Sequence, residues 1–434
     1  MGQQEKVATS LAGAVSEGIS ASLAPVDAEL ARHYPGDPGT RQPVHTVYVP
    51  GDVFAADTVR SWGDQALAAL DEHAPDAVTF AKVLGIPDEL AGPVYDRVRA
   101  KLRDEPIEDL RVDFEDGFGV RSDEEEDQAA ARAARLVAEA YSNGTNAPYM
   151  GIRMKCMESN VRDRGIRTTD VFLSGLLAHG GLPDNLVLTL PKVTYAEQVT
   201  AFVKLLEAFE SARGLRQGRI GFEIQIETSQ SILASDGTAT VARMIEASRG
   251  RATGLHYGTF DYSACVGVSA AYQASDHPAA DHAKAIMQVA AAGTGVRVSD
   301  GSTNVLPVGT TEKVHEAWRL HYGLTRRALA RAYYQAGTCT PATCHPLRGR
   351  LHLLPRGPGG CRRPPEGLRG PDRGRRDGRA RHRQGPGRLP GPRSGLRRRR
   401  HRGGHHPDRP DPRRAGRLRH PAPLGDPDGL GLTP

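Results

Sequence analysis

The sequence predicts a parallel α/β barrel of the (β/α)₈ kind, short of its last strand–helix unit and followed by a disordered C-terminal tail. Three observations predict it. Seven short runs near residues 47, 112, 151, 188, 223, 256 and 297 alternate with segments of helical period, and that alternation marks βαβ units in a parallel sheet. Acidic residues recur at the ends of these runs, as at Asp113, Glu115, Glu227 and Asp261. The C-terminal strand ends of a barrel form one mouth, where barrel enzymes keep their chemistry. Finally, the composition breaks just after Gln335, where an eighth strand is due.

Residues 1–42 read as an extension ahead of the barrel, with a helix-like stretch from Val15 to Ala24 and then the Pro/Gly-rich YPGDPGTRQP. Thr46 to Pro50 is a β-branched and aromatic strand closed by Pro50-Gly51-Asp52. Asp57 to Leu70 and Asp88 to Arg103 look helical. In Asp109-Leu-Arg-Val-Asp-Phe-Glu-Asp-Gly, alternation sets Asp113 and Glu115 on one side of a strand. Asp116-Gly117 then opens a turn into an acidic, Ala-rich helix from Ser122 to Tyr141. Two carboxylates two apart are costly to bury without a cation or donor. That points to a site, although a helix N-terminus can also take one of them.

Tyr149 to Lys155 is the next strand and carries Arg153. Its guanidinium either pairs with a structural acid or clamps a substrate carboxylate or enolate oxygen. Asp170 to Leu177 is a helix, Asn185 to Val193 a strand ending in Lys192, and Tyr195 to Arg213 an amphipathic helix. Lys192 suits a Schiff-base nucleophile or a charge partner to the acids. The second reading is favoured, because a metal pair already offers a route to carbonyl activation. Glu227 ends the run Ile220–Ile226, and Asp261 follows the run Thr253–Phe260. Two carboxylates in one mouth, with few soft ligands nearby, suit a hard divalent cation, Mg²⁺ or Mn²⁺. Each acid alone also reads as a solvated strand-end residue or a helix cap. Pro278 to Ala292 is helical, Gly295 to Asp300 a short strand, and Thr311 to Tyr334 a long helix.

The formal charge of +6 over 434 residues misleads. Residues 336–434 hold 24 Arg, no Lys and 7 acids, a balance of +17, so residues 1–335 carry −11. An acidic barrel argues against nucleic acid as a partner, except through the tail. No apolar run reaches bilayer length, and the N-terminus lacks a signal-peptide pattern. A cytoplasmic protein without membrane partners is expected. Before residue 339 the only cysteines are Cys156 and Cys265, which make no disulfide framework.

The tail, residues 336–434, lacks Lys, Ile, Phe, Tyr, Trp, Met, Asn and Val. Such a chain buries too little apolar surface to offset its ordering entropy. It reads as a polyanion-binding segment, a passive extension, or a shifted reading frame of GC-rich DNA. The genetic code favours the last: regrouped codons for Gly337 to His345 permit Trp-Asp-Leu-His-Pro, which would continue Tyr333-Tyr-Gln335 as a strand and loop.

These motifs, in this order, resemble the HpcH/HpaI aldolase and citrate lyase β-subunit superfamily over roughly residues 44–335. VYVPGD resembles its first strand, and VDFEDG its acidic second-strand motif, with Phe114 in place of the usual Leu. GIRMK resembles the strand with the substrate-binding Arg, here Arg153, although Lys155 stands where Asn is often found. LPKV, IET and YGTFDYS complete the set. The resemblance implies a (β/α)₈ TIM barrel and a metal held by Glu227 and Asp261. It implies a carbon–carbon lyase that works through an enolate on a 4-hydroxy-2-oxo acid or an acyl-CoA, the free oxo acid being preferred. Asp113, Glu115 and Asp116 would then hold metal-bound water, orient Arg153 or move protons. It also implies a homo-oligomer, a trimer or hexamer. The competing reading is a catalytically defective barrel whose basic tail binds RNA or other polyanions.

Overall fold

In the computed structural model the described residues are 10, 11 and 13–338. Eight parallel strands close into a barrel in chain order. They are β1 (His45–Pro50), β2 (Asp109–Asp113), β3 (Tyr149–Arg153), β4 (Val187–Leu190), β5 (Gly221–Ile226), β6 (Ala252–Tyr257), β7 (Arg297–Asp300) and β8 (Gln335–Thr338). The crossovers between parallel neighbours carry helices, as such connections require. No helix among the described residues is long and apolar enough to cross a membrane.

The seven strands expected from the sequence are present, and the expectation of a missing eighth is corrected. β8 lies between β1 and β7. His45 pairs with Ala336 and Thr46 with Gly337 on one side, and Ser299 with Gln335 and Asp300 with Ala336 on the other. A closing strand is joined through backbone N–H and C=O groups, which Gln-Ala-Gly-Thr supplies as well as a β-branched run does. Gln335 is buried. Its Nε2 donates to Thr46 Oγ1 at 2.9 Å, and its Oε1 accepts from Gln42 Nε2 at 3.2 Å. The barrel therefore runs past the expected boundary at 335. Any helix after β8 lies outside the described residues. So do the expected disorder, shifted frame and polyanion binding of residues 339–434.

Local signals set several of the helices. The acidic helix Asp123–Asn143 starts at a capping box, in which Ser122 Oγ accepts from Glu125 N–H and the Glu125 carboxylate accepts from Ser122 N–H. The helix after β3 is longer than expected, Arg162–Ala178. Gly165 lets its first turn lie against the Lys155 carbonyl, where a Cβ would come within 2.5 Å. A short helix, Ala77–Leu84, was not expected. The extension forms the helix Gly13–His33, none of whose residues is buried.

Alternation along the strands separates two interiors. Val47, Leu110, Val112, Ile152, Leu188, Phe222, Ile224 and Leu255 face outward and pack beneath the helices in one apolar core. Phe222 meets Phe202 edge-on at 5.1 Å; burying a ring of this size contributes about 1.5–3 kcal/mol. A second core joins the helices Thr58–His73, Ala77–Leu84, Asp88–Asp104 and Thr311–Ala330 through Leu70, Phe80, Leu102 and Trp318. The lumen is polar instead. Arg111 Nε donates to Thr189 Oγ1 at 3.0 Å and Nη2 to Glu223 Oε2 at 2.8 Å, while Nη1 pairs with Asp109. Asp109 in turn accepts from Thr46 Oγ1 at 2.7 Å. Barrel lumens are ordinarily filled by branched aliphatic side chains, so this charged layer is a departure. Gly151 belongs to the same layer; a Cβ there would meet the Val187 carbonyl at 1.8 Å.

Candidate active site

The strand ends bring the predicted residues to one mouth, where Asp116, Arg153, Glu227 and Asp261 line a cavity of about 290 Å³. Arg153 ends β3 and is buried. Its Nε and Nη2 both donate to Asp113, at 2.7 Å each. Nη1 turns to Gln225 Oε1 at 3.4 Å and Glu115 Oε2 at 3.6 Å, and the guanidinium lies 4.6 Å over the Tyr48 ring. The planar fork expected to clamp a substrate is therefore closed on an acid of β2. Asp113 also accepts from the N–H groups of Glu115 at 3.0 Å and Gly117 at 2.9 Å. It thereby fixes both the guanidinium and the loop after β2. An acid with that many donors is suited to positioning more than to moving protons.

Lys192 sits just past β4 in a left-handed conformation, φ 48°. Its N–H donates to Glu227 Oε1 at 2.8 Å. Its ammonium pairs with Glu115, with Asp116 at 2.6 Å and with Asp261 at 3.3 Å. Burial opposes the charge, but Glu115, Glu227 and Asp116 hold the ammonium well above its ordinary range. Its contacts in this structure are those of a charge partner to three acids.

Glu227 follows β5 directly and is buried. Burial first, then the charges of Glu115 and Asp261, push its carboxyl up to about 8, against the pull of Lys192 and Arg153. Burial also pushes Glu115 up, to about 7, with Asp116 adding to the rise and Arg153 and Lys192 opposing it. Asp116 is lowered despite its burial, because it is bonded to Glu115 and Lys192. Asp261 is placed differently from expectation. β6 stops at Tyr257, and Asp261 lies in the first turn of the short helix Thr259–Cys265, its side chain 44% exposed. Gly258 lets that helix begin against Glu227, because a Cβ there would lie 2.4 Å from Glu227 Cβ.

A divalent cation can be tested against these donors. Among the described residues no three His, Cys, Asp or Glu groups are gathered tightly enough to form a ready metal cage. Mg²⁺ does not need one, since it binds through one or two carboxylates and keeps several waters. A buried carboxylate raised by two neighbouring carboxylates is a place where positive charge is wanted. The donors are all hard oxygens, so Glu227 and Asp261 fit Mg²⁺ or Mn²⁺.

Sequence reasoning missed Tyr48, Gln225 and His256, which line the same cavity. The available signal was period two: Thr46-Val-Tyr48, Asp109-Leu-Arg111-Val-Asp113 and Glu223-Ile-Gln225 place a polar residue at every second position.

Fold and mouth together describe a parallel barrel with a cluster of carboxylates, a lysine and an arginine at its C-terminal face. The family model described as "Domain of unknown function (DUF6986)" matches residues 23–348, and the chain belongs to that family. No curated protein matches the sequence. Similar solved structures include a citrate lyase from Burkholderia xenovorans LB400, 15% identical, with 73% of this chain and 79% of that chain covered and a TM-score of 0.48. Another is Haloferax volcanii malate synthase in a magnesium/glyoxylate complex, 13% identical, with 75% and 79% covered and a TM-score of 0.49. A third is Mycobacterium tuberculosis CitE with magnesium and pyruvate, 16% identical, with 71% and 90% covered and a TM-score of 0.39.

Proposed function

We propose that this protein is a divalent-metal-dependent carbon–carbon lyase that cleaves, or in reverse condenses, a 4-hydroxy-2-oxo acid or a related acyl-CoA through an enolate. The observation that carries the reading is Glu227. It is a buried carboxylate raised to about 8 by burial, Glu115 and Asp261, at the edge of a cavity that Arg153 also lines. Glu227 and Asp261 would hold Mg²⁺ or Mn²⁺. When bound, the cation supplies Lewis-acid stabilisation for negative charge on the substrate's oxo oxygen. Arg153, fixed by Asp113, adds a second positive charge, and preorganised donors of this kind are worth ~10²–10³ in rate. Lys192 ties Glu115 and Asp116 to the mouth and neutralises part of their charge. Glu115, raised towards neutrality, can hold or release a proton between Arg153 and Lys192. A cavity of about 290 Å³ lies at the small end of ligand sites. It suits a short oxo acid whole, or only the acyl end of an acyl-CoA.

Glyoxylate, pyruvate and acetyl-CoA, which accompany the malate synthase and CitE structures, are the first substrates to assay. Product formation should depend on Mg²⁺ and be lost in Glu227→Gln with the fold intact. Unchanged Mg²⁺-dependent turnover in that variant would overturn the assignment.

A further inference from the structure

The lumen below the cavity holds an acid–imidazole pair that the chemistry above leaves unused. His256 on β6 is buried and lines the cavity with Tyr48, Arg153 and Gln225. Its Nε2 lies 3.0 Å from Glu223 Oε2 on β5, and its Nδ1 faces the Tyr48 hydroxyl at 3.5 Å. Glu223 is held on its other side by Arg111 Nη2 at 2.8 Å. Burial opposes ionisation of Glu223, but His256 and Arg111 hold its carboxyl down to about 2. The Glu223 carboxylate thus stands against Nε2 and the Tyr48 hydroxyl against Nδ1.

Asp109 and Glu223 bring two carboxylates to one guanidinium, Arg111, and His256 adjoins both this cluster and the cavity.

We propose that His256, aligned by Glu223 as a positioning residue, is the catalytic acid–base group that moves the substrate's proton between oxygen and carbon. The proposal rests on the lyase reading. In the cleavage direction the neutral imidazole takes the proton of the substrate's 4-hydroxyl. The C3–C4 bond breaks; its electron pair becomes the enolate at C3, and C4 leaves as the aldehyde. The imidazolium then returns the same proton to C3. No proton is gained or lost overall, and no oxidant is needed.

The test is Mg²⁺-dependent exchange of substrate protons for deuterium in D₂O, followed by proton NMR across pH 5.5–9. The probes are pyruvate, 2-oxobutyrate and acetyl-CoA. Wild type should exchange at least one of them, and Glu227→Gln should not. His256→Gln should slow exchange by ~10²–10⁴, the ordinary contribution of a positioned general base, with probe affinity by calorimetry changed less than about threefold. The charged and titratable groups around the imidazole and along its cavity are Glu223 on β5 and Glu227 just after it, Asp109 and Arg111 on β2 and Asp116 after it, Tyr48 on β1, Arg153 on β3, Tyr257 on β6, Asp261 after it and Asp300 on β7. Of these, Glu223 touches it most closely. Glu223→Gln removes the charge that favours the imidazolium, so the acidic limb of the exchange profile should move to lower pH. A purely structural role would not move that limb. Undiminished exchange in His256→Gln, or an unmoved limb in Glu223→Gln, overturns the proposal while leaving the lyase reading standing. If His256→Gln does not fold, the Glu223→Gln profile decides. If wild type exchanges none of the probes, the lyase reading fails and takes the proposal with it.

Discussion

Glu227→Gln tests the metal site through stability, without any knowledge of the substrate. Glu227 is 2% exposed, and its Oε1 accepts the Lys192 N–H at 2.8 Å. Glutamine keeps that acceptor and nearly the same volume, but does not ionise. Burial, Glu115 and Asp261 raise the native carboxyl from 4.5 to about 8. The folded, metal-free protein thus holds this proton more tightly than the unfolded chain does. Its stabilising effect is complete below pH 4.5 and is lost as pH rises towards 8. The glutamine variant has no such loss. At about 1.4 kcal/mol per pH unit, it should be more stable than wild type at pH 7 by on the order of 3 kcal/mol. Urea unfolding in EDTA at pH 5 and pH 8 gives the comparison: near-equality at the lower pH and a clear gain for the variant at the higher. Adding Mg²⁺ at a hundred times its Kd should then stabilise wild type by about 2.7 kcal/mol and leave the variant unmoved. A variant less stable than wild type at pH 8 without metal, or equal Mg²⁺ stabilisation of both proteins, would refute the reasoning.

Three further substitutions probe the surroundings. Arg111→Met strands the buried Asp109 and Glu223 and should cost about 3–5 kcal/mol. Urea unfolding at pH 8 reads the loss, which should shrink at pH 5 as Asp109, already raised to about 6 by burial, takes up a proton. Lys192→Met withdraws the cation from Glu115, Asp116 and Asp261. Calorimetry should show Mg²⁺ binding about tenfold more tightly, a change of about 1.4 kcal/mol; weaker binding would mean that the ammonium does not compete for the site. Gly151→Ala drives a methyl to 1.8 Å from the Val187 carbonyl and must part β3 from β4. It should lower stability by about 3 kcal/mol or more, visible as a collapse of the melting temperature, whereas a variant that melts with wild type would show that the two strands are not so closely opposed.

The barrel was legible in the sequence because β-branched and aromatic runs punctuated by turns have no competing reading at that spacing. The mouth was partly legible, since strand-end acids such as Glu227 and turn acids such as Asp116 stand out against apolar runs. β8 was not, because Gln-Ala-Gly-Thr has no β-branched core and adjoins a composition that argues against folding. Asp261 was set at a strand end because Thr259-Phe260 continues the β pattern, whereas the chain turns into a helix at Gly258. Lys192 was read as a charge partner, but its left-handed backbone, which delivers its N–H to Glu227, has no sequence mark. The lumen charges were missed because strands such as β5 were read as apolar runs. Their second period, Glu223-Ile-Gln225, carries the interior.

Arg111 also has a bearing on how the chain reaches its native state. Its partners Thr189 and Glu223 lie 78 and 112 residues further along the chain. Neither bond exists until β2, β4 and β5 have curled around a common axis. Contacts of such separation form late, so they slow unfolding more than they speed folding. Replacing Arg111 should therefore steepen the loss of kinetic lifetime while leaving the refolding rate nearly constant. A strand paired one residue out of step would turn its lumen charges outward into the apolar layer. Desolvated charge thus proofreads strand order, a task that a lumen of aliphatic side chains could perform only by shape.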